Sequence, residues 1–197
     1  MKELIIRKID FKTCYHFLLL NVAIMIASFV LYSLKIIPQT ALHLASSSLA
    51  FFLTLYTALG YIKYSFIQNE RRFRRIIIAS IGLSSIQSLL ILLNALIKFN
   101  QTKYTIYSGI IMLLSTPLFY YAFGLIRNED MKFFGKLSQL NLYLPIISIL
   151  GLLLYLLKVS HFLLFFPIML AGFVVVILLW YWQIKLFRHL SLKYNES

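Results

Sequence analysis

Tyr61-Ile62-Lys63-Tyr64-Ser65-Phe66-Ile67-Gln68-Asn69-Glu70-Arg71-Arg72-Phe73-Arg74-Arg75 is the stretch whose reading decides the fold. It sets Lys63, Arg71, Arg72, Arg74 and Arg75 against a single acid, Glu70, between two apolar runs that are each long enough to cross a bilayer. A short loop this rich in Lys and Arg stays on the cytoplasmic side of a membrane during insertion. Its position therefore orients both neighbouring runs and, through them, the rest of the chain.

Composition points to lipid as the solvent. The 197 residues are 61% apolar and 13% charged, with a mean hydropathy of +0.85. That leaves too little polar surface to wrap a water-soluble core of this size. The net charge of +13 raises the question of nucleic acid. Residues that bind nucleic acid form a continuous basic face, whereas here they fall in short islands between hydrophobic runs, so no nucleic-acid partner is expected. Cys14 is the only cysteine, which excludes an intramolecular disulfide and a CxxC metal or redox site. Near the start of the first run, it reads as a reduced, structural thiol.

Six apolar runs follow one another, at about Tyr15–Ile37, Leu42–Tyr64, Ile76–Ile97, Tyr104–Ile126, Leu137–Leu157 and His161–Leu186. Each approaches or exceeds the roughly 20 residues that a helix needs to cross a hydrocarbon core of about 30 Å. The first is too long for a signal peptide and lacks a small-residue cleavage site, so it reads as a retained helix. Continuous runs, without alternation, exclude a barrel. A turn is expected at Pro38-Gln39-Thr40 and a short polar connection at Lys98–Lys103. The expected fold is an all-α integral membrane protein, a six-transmembrane-helix bundle forming one polytopic domain over residues 1–197, with both termini cytoplasmic. In that arrangement 15 of the 19 Lys and Arg residues and all six acids lie inside, leaving Lys35, Lys98, Lys103 and Lys158 outside. An odd number of spans would carry a basic tail across and break the asymmetry.

A repeat of three helical hairpins is suggested by the odd-numbered spans, which run from an aromatic residue to a lysine: Phe11 to Lys35, Phe73 to Lys98 and Phe134 to Lys158. The second and fourth spans share Tyr56-x-Ala58-x-Gly60-x-Ile62-Lys63 and Tyr120-x-Ala122-x-Gly124-x-Ile126-Arg127, while the sixth fits poorly. Such hairpins repeat in one orientation, unlike the inverted repeats of many secondary transporters.

No constellation of catalytic or cofactor-binding residues emerges. The central parts of the spans hold no Asp, Glu or Arg, the groups that proton relays and ion sites place there despite the cost. His16 and His189 belong to one side and His43 and His161 to the other, without a carboxylate or thiol to complete a metal site. Phosphate-binding glycine loops and nucleophile elbows are missing. No enzyme activity, cofactor or metal is expected, and no stretch carries a family signature.

The spans do carry stripes of small polar residues. Ser80, Ser84, Gln87 and Asn94 share about a quarter of the third helix's circumference; His43, Ser47, Thr54 and Tyr61 line up on the second, Asn21, Ser28, Tyr32 and Lys35 on the first, and Tyr104, Ser108 and Ser115 on the fourth. Such residues serve as interhelical glue. Alternatively Ser47, Thr54, Ser80, Ser84, Gln87, Asn94, Ser108 and Ser115 line an aqueous path in which hydroxyls and amides replace part of a permeant's hydration. Lys35, Lys98 and Lys158 end the odd-numbered spans without an acidic partner on their side. They snorkel to headgroups or form an outer vestibule that gathers anions. Pro117, Pro145 and Pro167 kink spans four, five and six, with Ser115 and Thr116 available to satisfy freed backbone. Tyr61, Tyr64, Trp180, Tyr181 and Trp182 gather at the cytoplasmic interface.

The leading functional expectation is a small homo-oligomeric pore or permeation subunit. The alternative is a non-transporting effector or anchor subunit of a signalling or defence system, whose Arg71, Arg72, Arg74 and Arg75 dock a cytoplasmic partner protein or anionic lipid. A small-solute transporter is the third reading. Lys- and Ile-rich, Ala-poor usage fits an AT-rich bacterial genome and hence the inner membrane.

Overall fold

The computed structural model describes residues 9–33, 39–97, 101–156 and 162–194. Among them the chain is entirely helical: α1 (Phe11–Ser33), α2 (Gln39–Ile67), α3 (Arg71–Ile97), α4 (Gln101–Gly124), α5 (Met131–Leu156) and α6 (Phe162–Tyr194). The helices outrun several apolar stretches. α2 begins at Gln39, so Gln39 and Thr40 belong to a helix and not to the expected turn, and α4 begins at Gln101, shortening the polar connection before it. At the other end of the bundle α3 starts at Arg71, α5 at Met131, and α6 continues to Tyr194. Hydropathy marks where oil ends, but a helix continues for as long as its backbone bonds and caps are satisfied.

The caps are local and legible. Asp10 accepts from the Lys12 amide (3.0 Å) and the Thr13 hydroxyl (3.2 Å) at the start of α1. Its carbonyl takes the Cys14 amide, as an N-cap residue's does. Glu70 and Asp130 stand in the same place before α3 and α5, their carbonyls accepting from Arg74 (3.0 Å) and from Phe133 (3.0 Å) and Phe134 (3.2 Å). An acid at each of these starts also suits the positive end of the helix dipole. Between α2 and α3 the chain turns in one step. Asn69 adopts φ 54°, the left-handed region that Asn tolerates better than most residues. The Glu70 amide bonds the Ser65 carbonyl (2.9 Å) and the Asn69 amide bonds that of Phe66 (3.2 Å), closing α2 in a Schellman motif.

Each helix packs on its neighbours in sequence, and α1 also packs on α6, so among the described residues the six helices close into a ring. One end of the ring carries Lys12, Lys63, Arg71, Arg72, Arg74, Arg75, Lys132, Lys185 and Arg188, and is called here the basic end. The buried core is concentrated there: Phe11, Tyr64, Phe73, Phe134, Leu137, Leu186, Phe187 and Leu190 are all fully buried. The outward faces remain apolar along the length of the helices, with Ile26, Phe52, Leu89, Leu114 and Phe173 at 59%, 65%, 54%, 55% and 63% exposure. An apolar surface this extensive belongs in a bilayer. α1, α5 and α6 are long and apolar enough to cross a membrane.

Pro117, Pro145 and Pro167 lie inside α4, α5 and α6. The Ser115 and Thr116 hydroxyls donate to the Met112 carbonyl (3.4 and 2.8 Å). That is one residue before the carbonyl of Leu113, which loses its helical donor to Pro117.

Candidate functional site

The centre of the ring is filled at the basic end and hollow further along. The filling is aromatic. Tyr61 packs on Phe123 (5.3 Å between centroids) and Phe187 (5.0 Å), Tyr64 on Phe134 (4.9 Å), and Phe134 on Phe73 (5.8 Å) and Phe123 (5.7 Å). Phe11 reaches in from α1 against Phe187 at 6.3 Å. All six helices contribute a ring, and the three entry aromatics Phe11, Phe73 and Phe134 are all fully buried. Tilted and edge-on contacts of this kind add about 0.5–1.5 kcal/mol each beyond simple burial. The plug requires close helix approach at Gly60. A Cβ there would lie 2.6 Å from Phe187 Cε1 and 2.8 Å from Cys14 Sγ.

Above the plug is a cavity of about 190 Å³. Its walls are Leu18 and Asn21 of α1, Thr54, Thr57 and Ala58 of α2, Phe119 of α4, Asn141 of α5, and Trp180 and Gln183 of α6. Tyr61 and Phe123 are its floor, so both belong to the plug and to the cavity. Asn21 is ten residues from Phe11, which places this level roughly 15 Å above the start of α1. The floor residues are buried, whereas Thr54, farther from the basic end, is exposed. Thr54 is thus the most exposed part of the lining, with Trp180 and Gln183 partly exposed.

The wall is polar but uncharged. The Thr57 hydroxyl donates to the Leu53 carbonyl (2.9 Å) and keeps acceptor capacity, and the Asn141 amide donates to Leu137 (2.8 Å). Pro145 lacks the N–H that would bond the Asn141 carbonyl in a regular helix. Two deeply buried groups have no protein partner: the Tyr61 hydroxyl and Asn21 Oδ1. Asn21 Nδ2 reaches Thr54 Oγ1 at 3.5 Å. Whichever way that amide is turned, Thr54 can satisfy only one of its two ends. An unpaired polar group buried among apolar ones costs about 1–3 kcal/mol, and two residues of the cavity lining, Asn21 and Tyr61, carry one each.

No protein-family model matches the chain, and no curated protein or solved structure is similar to it. The cavity and its surroundings must therefore be interpreted on their own chemistry.

Below the plug, the basic end is held by a buried carboxylate. Asp130, fully buried, accepts from the Tyr64 hydroxyl (2.8 Å), from His189 Nε2 (3.0 Å) and from Lys193 Nζ (3.4 Å). Asn128 Nδ2 donates to the Tyr64 hydroxyl (2.8 Å) and Asn128 Oδ1 accepts the Asp130 amide (3.0 Å). His189 stacks on Phe133 at 4.9 Å, and Lys193 also reaches Glu129 (3.0 Å). This cluster ties α2, the α4–α5 connection and α6 together. Nearby, Lys63 donates to the Ile9 carbonyl and sits 5.0 Å from the Phe11 ring. Among the described residues no three His, Cys, Asp or Glu side chains converge as a metal site would require.

Of the polar residues expected to line a path, Thr54 is on the cavity wall. Ser80 and Ser115 are buried and bond backbone of their own helices, Ser80 to Ile76 at 2.9 Å. Ser84, Gln87, Asn94 and Ser108 are half-buried and stand apart from the cavity, and the Ser47 side chain lies outside the described residues. Lys35, Lys98 and Lys158 also lie outside them. Arg71, Arg72 and Arg75 are exposed, while Arg74 lies over the Phe66 ring at 3.9 Å. Reasoning from sequence missed Asn141, Gln183 and Thr57 as cavity residues and Asp130 as a buried anchor. One signal was present: Asn141 precedes Pro145 by one helical turn, so an amide side chain sits beside a carbonyl lacking its helical donor.

Proposed function

We propose that this chain is a six-span membrane protein, with the basic end in the cytoplasm, that conducts a small uncharged solute along the axis of its own helix ring. The carrying observation is the polar cavity, exposed at Thr54 and floored by the aromatic plug. A solute enters from the outer side of a cytoplasmic membrane, exchanges water for the amides and hydroxyls of the wall, and stops at Tyr61, Phe123 and Phe187. Those rings form the closed inner gate. The wall carries no formal charge, so an ion leaving water at this depth would find no opposite charge to offset its lost hydration.

Five of the six helices of one chain line the cavity, so one subunit suffices for the path, and any assembly of copies would place several such paths side by side. The three buried entry aromatics Phe11, Phe73 and Phe134 and the three acidic helix starts support a chain built from repeated hairpins. Exposed Arg71, Arg72 and Arg75 favour a second role for the same face, contact with anionic headgroups or a cytoplasmic partner.

Stopped-flow light scattering of proteoliposomes tests the reading. Solute entry should exceed that of protein-free vesicles, and Phe123→Ala and Phe187→Ala should raise it several-fold by opening the floor. Solute entry no faster than in empty vesicles, for wild type and both variants, would reject conduction. Ion leakage insensitive to either substitution would move the path to the axis of an oligomer.

A further inference from the structure

Resting on the reading that sets the basic end among cytoplasmic headgroups, we propose that the outer seam between α5 and α6 holds the phosphate of an anionic phospholipid. On α5, Lys132, Lys136, Gln139 and Tyr143 recur at steps of four, three and four residues, which keeps them on one face, and all four are exposed. On α6 the same spacing brings Tyr181, Lys185 and Arg188 to an exposed face. Phe133 fixes the depth at which the two rows meet. It lies edge-on to Trp182 at 6.3 Å and stacks on His189 at 4.9 Å, and those two α6 residues bracket Lys185 and Arg188 in the chain. Lys132, Lys136, Lys185 and Arg188 therefore stand at one level, two on each of two helices that pack together.

The surroundings of these cations select the partner. The neighbouring acids are already engaged, Asp130 by His189 (3.0 Å) and Lys193 (3.4 Å) and Glu129 by Lys193 (3.0 Å). Among the described residues none of the four cations forms an ion pair. Aromatic rings brace two of them: Lys132 Nζ is 5.0 Å from the centre of the Phe133 ring, and Lys185 Nζ is 4.5 Å from that of Tyr181 and 5.6 Å from that of Trp182. A ring steadies an ammonium group without neutralising it, so the charge stays available to a phosphate. A zwitterionic headgroup brings a cation of its own, which this cluster repels. Farther from the basic end the same two faces turn apolar, with Ile146, Leu150 and Leu153 on α5 and Val174 and Ile177 on α6 exposed. A soluble anion or a cytoplasmic protein would meet only the cations. A phospholipid meets both levels, its phosphate against the cations and its acyl chains along the apolar strips.

Native mass spectrometry of the purified full chain, titrated with phosphatidylglycerol or phosphatidylcholine, tests the site. Each Lys or Arg close to an anionic headgroup contributes about fivefold to binding. Wild type should therefore hold phosphatidylglycerol about tenfold or more tightly than phosphatidylcholine, and Lys136→Gln combined with Lys185→Gln should abolish most of that preference. Arg71→Gln combined with Arg75→Gln removes the same charge from α3 and should leave the preference largely intact. The comparison of the two lipids on wild type needs no variant, so it stands even if a substituted chain fails to fold. Equal binding of the two lipids would overturn the site, as would an equal loss from both pairs of substitutions, the mark of diffuse surface charge. Displacement of the bound lipid by millimolar inorganic phosphate would assign the cations to a soluble anion and overturn the lipid. Solute flux is read separately in proteoliposomes: lipid preference in a chain that conducts nothing would uphold the site and reject conduction, and flux without lipid preference would do the reverse.

Discussion

At the basic end the axis of the ring is filled by Phe11, Tyr61, Tyr64, Phe73, Phe123, Phe134 and Phe187, all nearly or fully buried. A few turns along the same helices it is lined by Asn21, Thr57, Asn141 and Gln183, which leave space between them. The two levels share a backbone and a solvent, yet they divide the work. In a bilayer, lipid tails are as apolar as the core, so burial alone gives helices little reason to associate. Shape-matched aromatic rings and one buried carboxylate cluster do so at the basic end. The cavity level, relieved of that duty, can keep polar groups unpaired.

Substitutions should separate the levels. Phe134→Ala removes the ring that touches Tyr61, Tyr64, Phe73 and Phe123. It should cost about 3–4 kcal/mol in a detergent-denaturation titration, and a loss below about 1 kcal/mol would show that the plug does not hold the ring. Next in size, Asp130→Ala strips Tyr64, His189 and Lys193 of their shared acceptor. Because His189 and Lys193 are partly exposed, water replaces some of what is lost and the expected cost is about 2–3 kcal/mol. A double-mutant cycle with Tyr64→Phe should return a coupling of about 1 kcal/mol, and additivity would deny the hydrogen bond its role. The smallest effect belongs to the cavity. Tyr61→Phe should leave ligand-free stability unchanged or raise it by up to about 1 kcal/mol, since the hydroxyl it deletes has no protein partner. Destabilisation would mean that the hydroxyl is satisfied after all.

How far the sequence foretold this differs by level. The order of six helices followed from the lengths of the apolar runs, and the aromatic starts Phe11, Phe73 and Phe134 were visible as a repeating feature. Helix ends were less legible because Asp10, Glu70 and Asp130 cap helices beyond the edge of the apolar runs. The polar stripes led only partly to the cavity. Thr54 reaches it, whereas Ser80 and Ser115 turn their hydroxyls back on their own helices. A hydroxyl can choose between its own backbone and a neighbour, and helical periodicity does not reveal that choice. Asn141 and Gln183 stood alone among Leu, Tyr and Trp, so no periodic pattern announced them. Asp130 looked like a loop charge because its partners His189 and Lys193 come about 60 residues later in the chain.

The packing of α1 on α6 has a consequence for synthesis. Phe11 stands against Phe187, with Cys14 beside them, so α1 cannot complete its packing until α6 has been made. Until then the first helix has a seam with nothing to fit into it, and the five helices made before α6 stay an open sheaf. Closure of the ring thus waits for α6, and a nascent chain that stalls before Phe162 would leave the same seam uncovered.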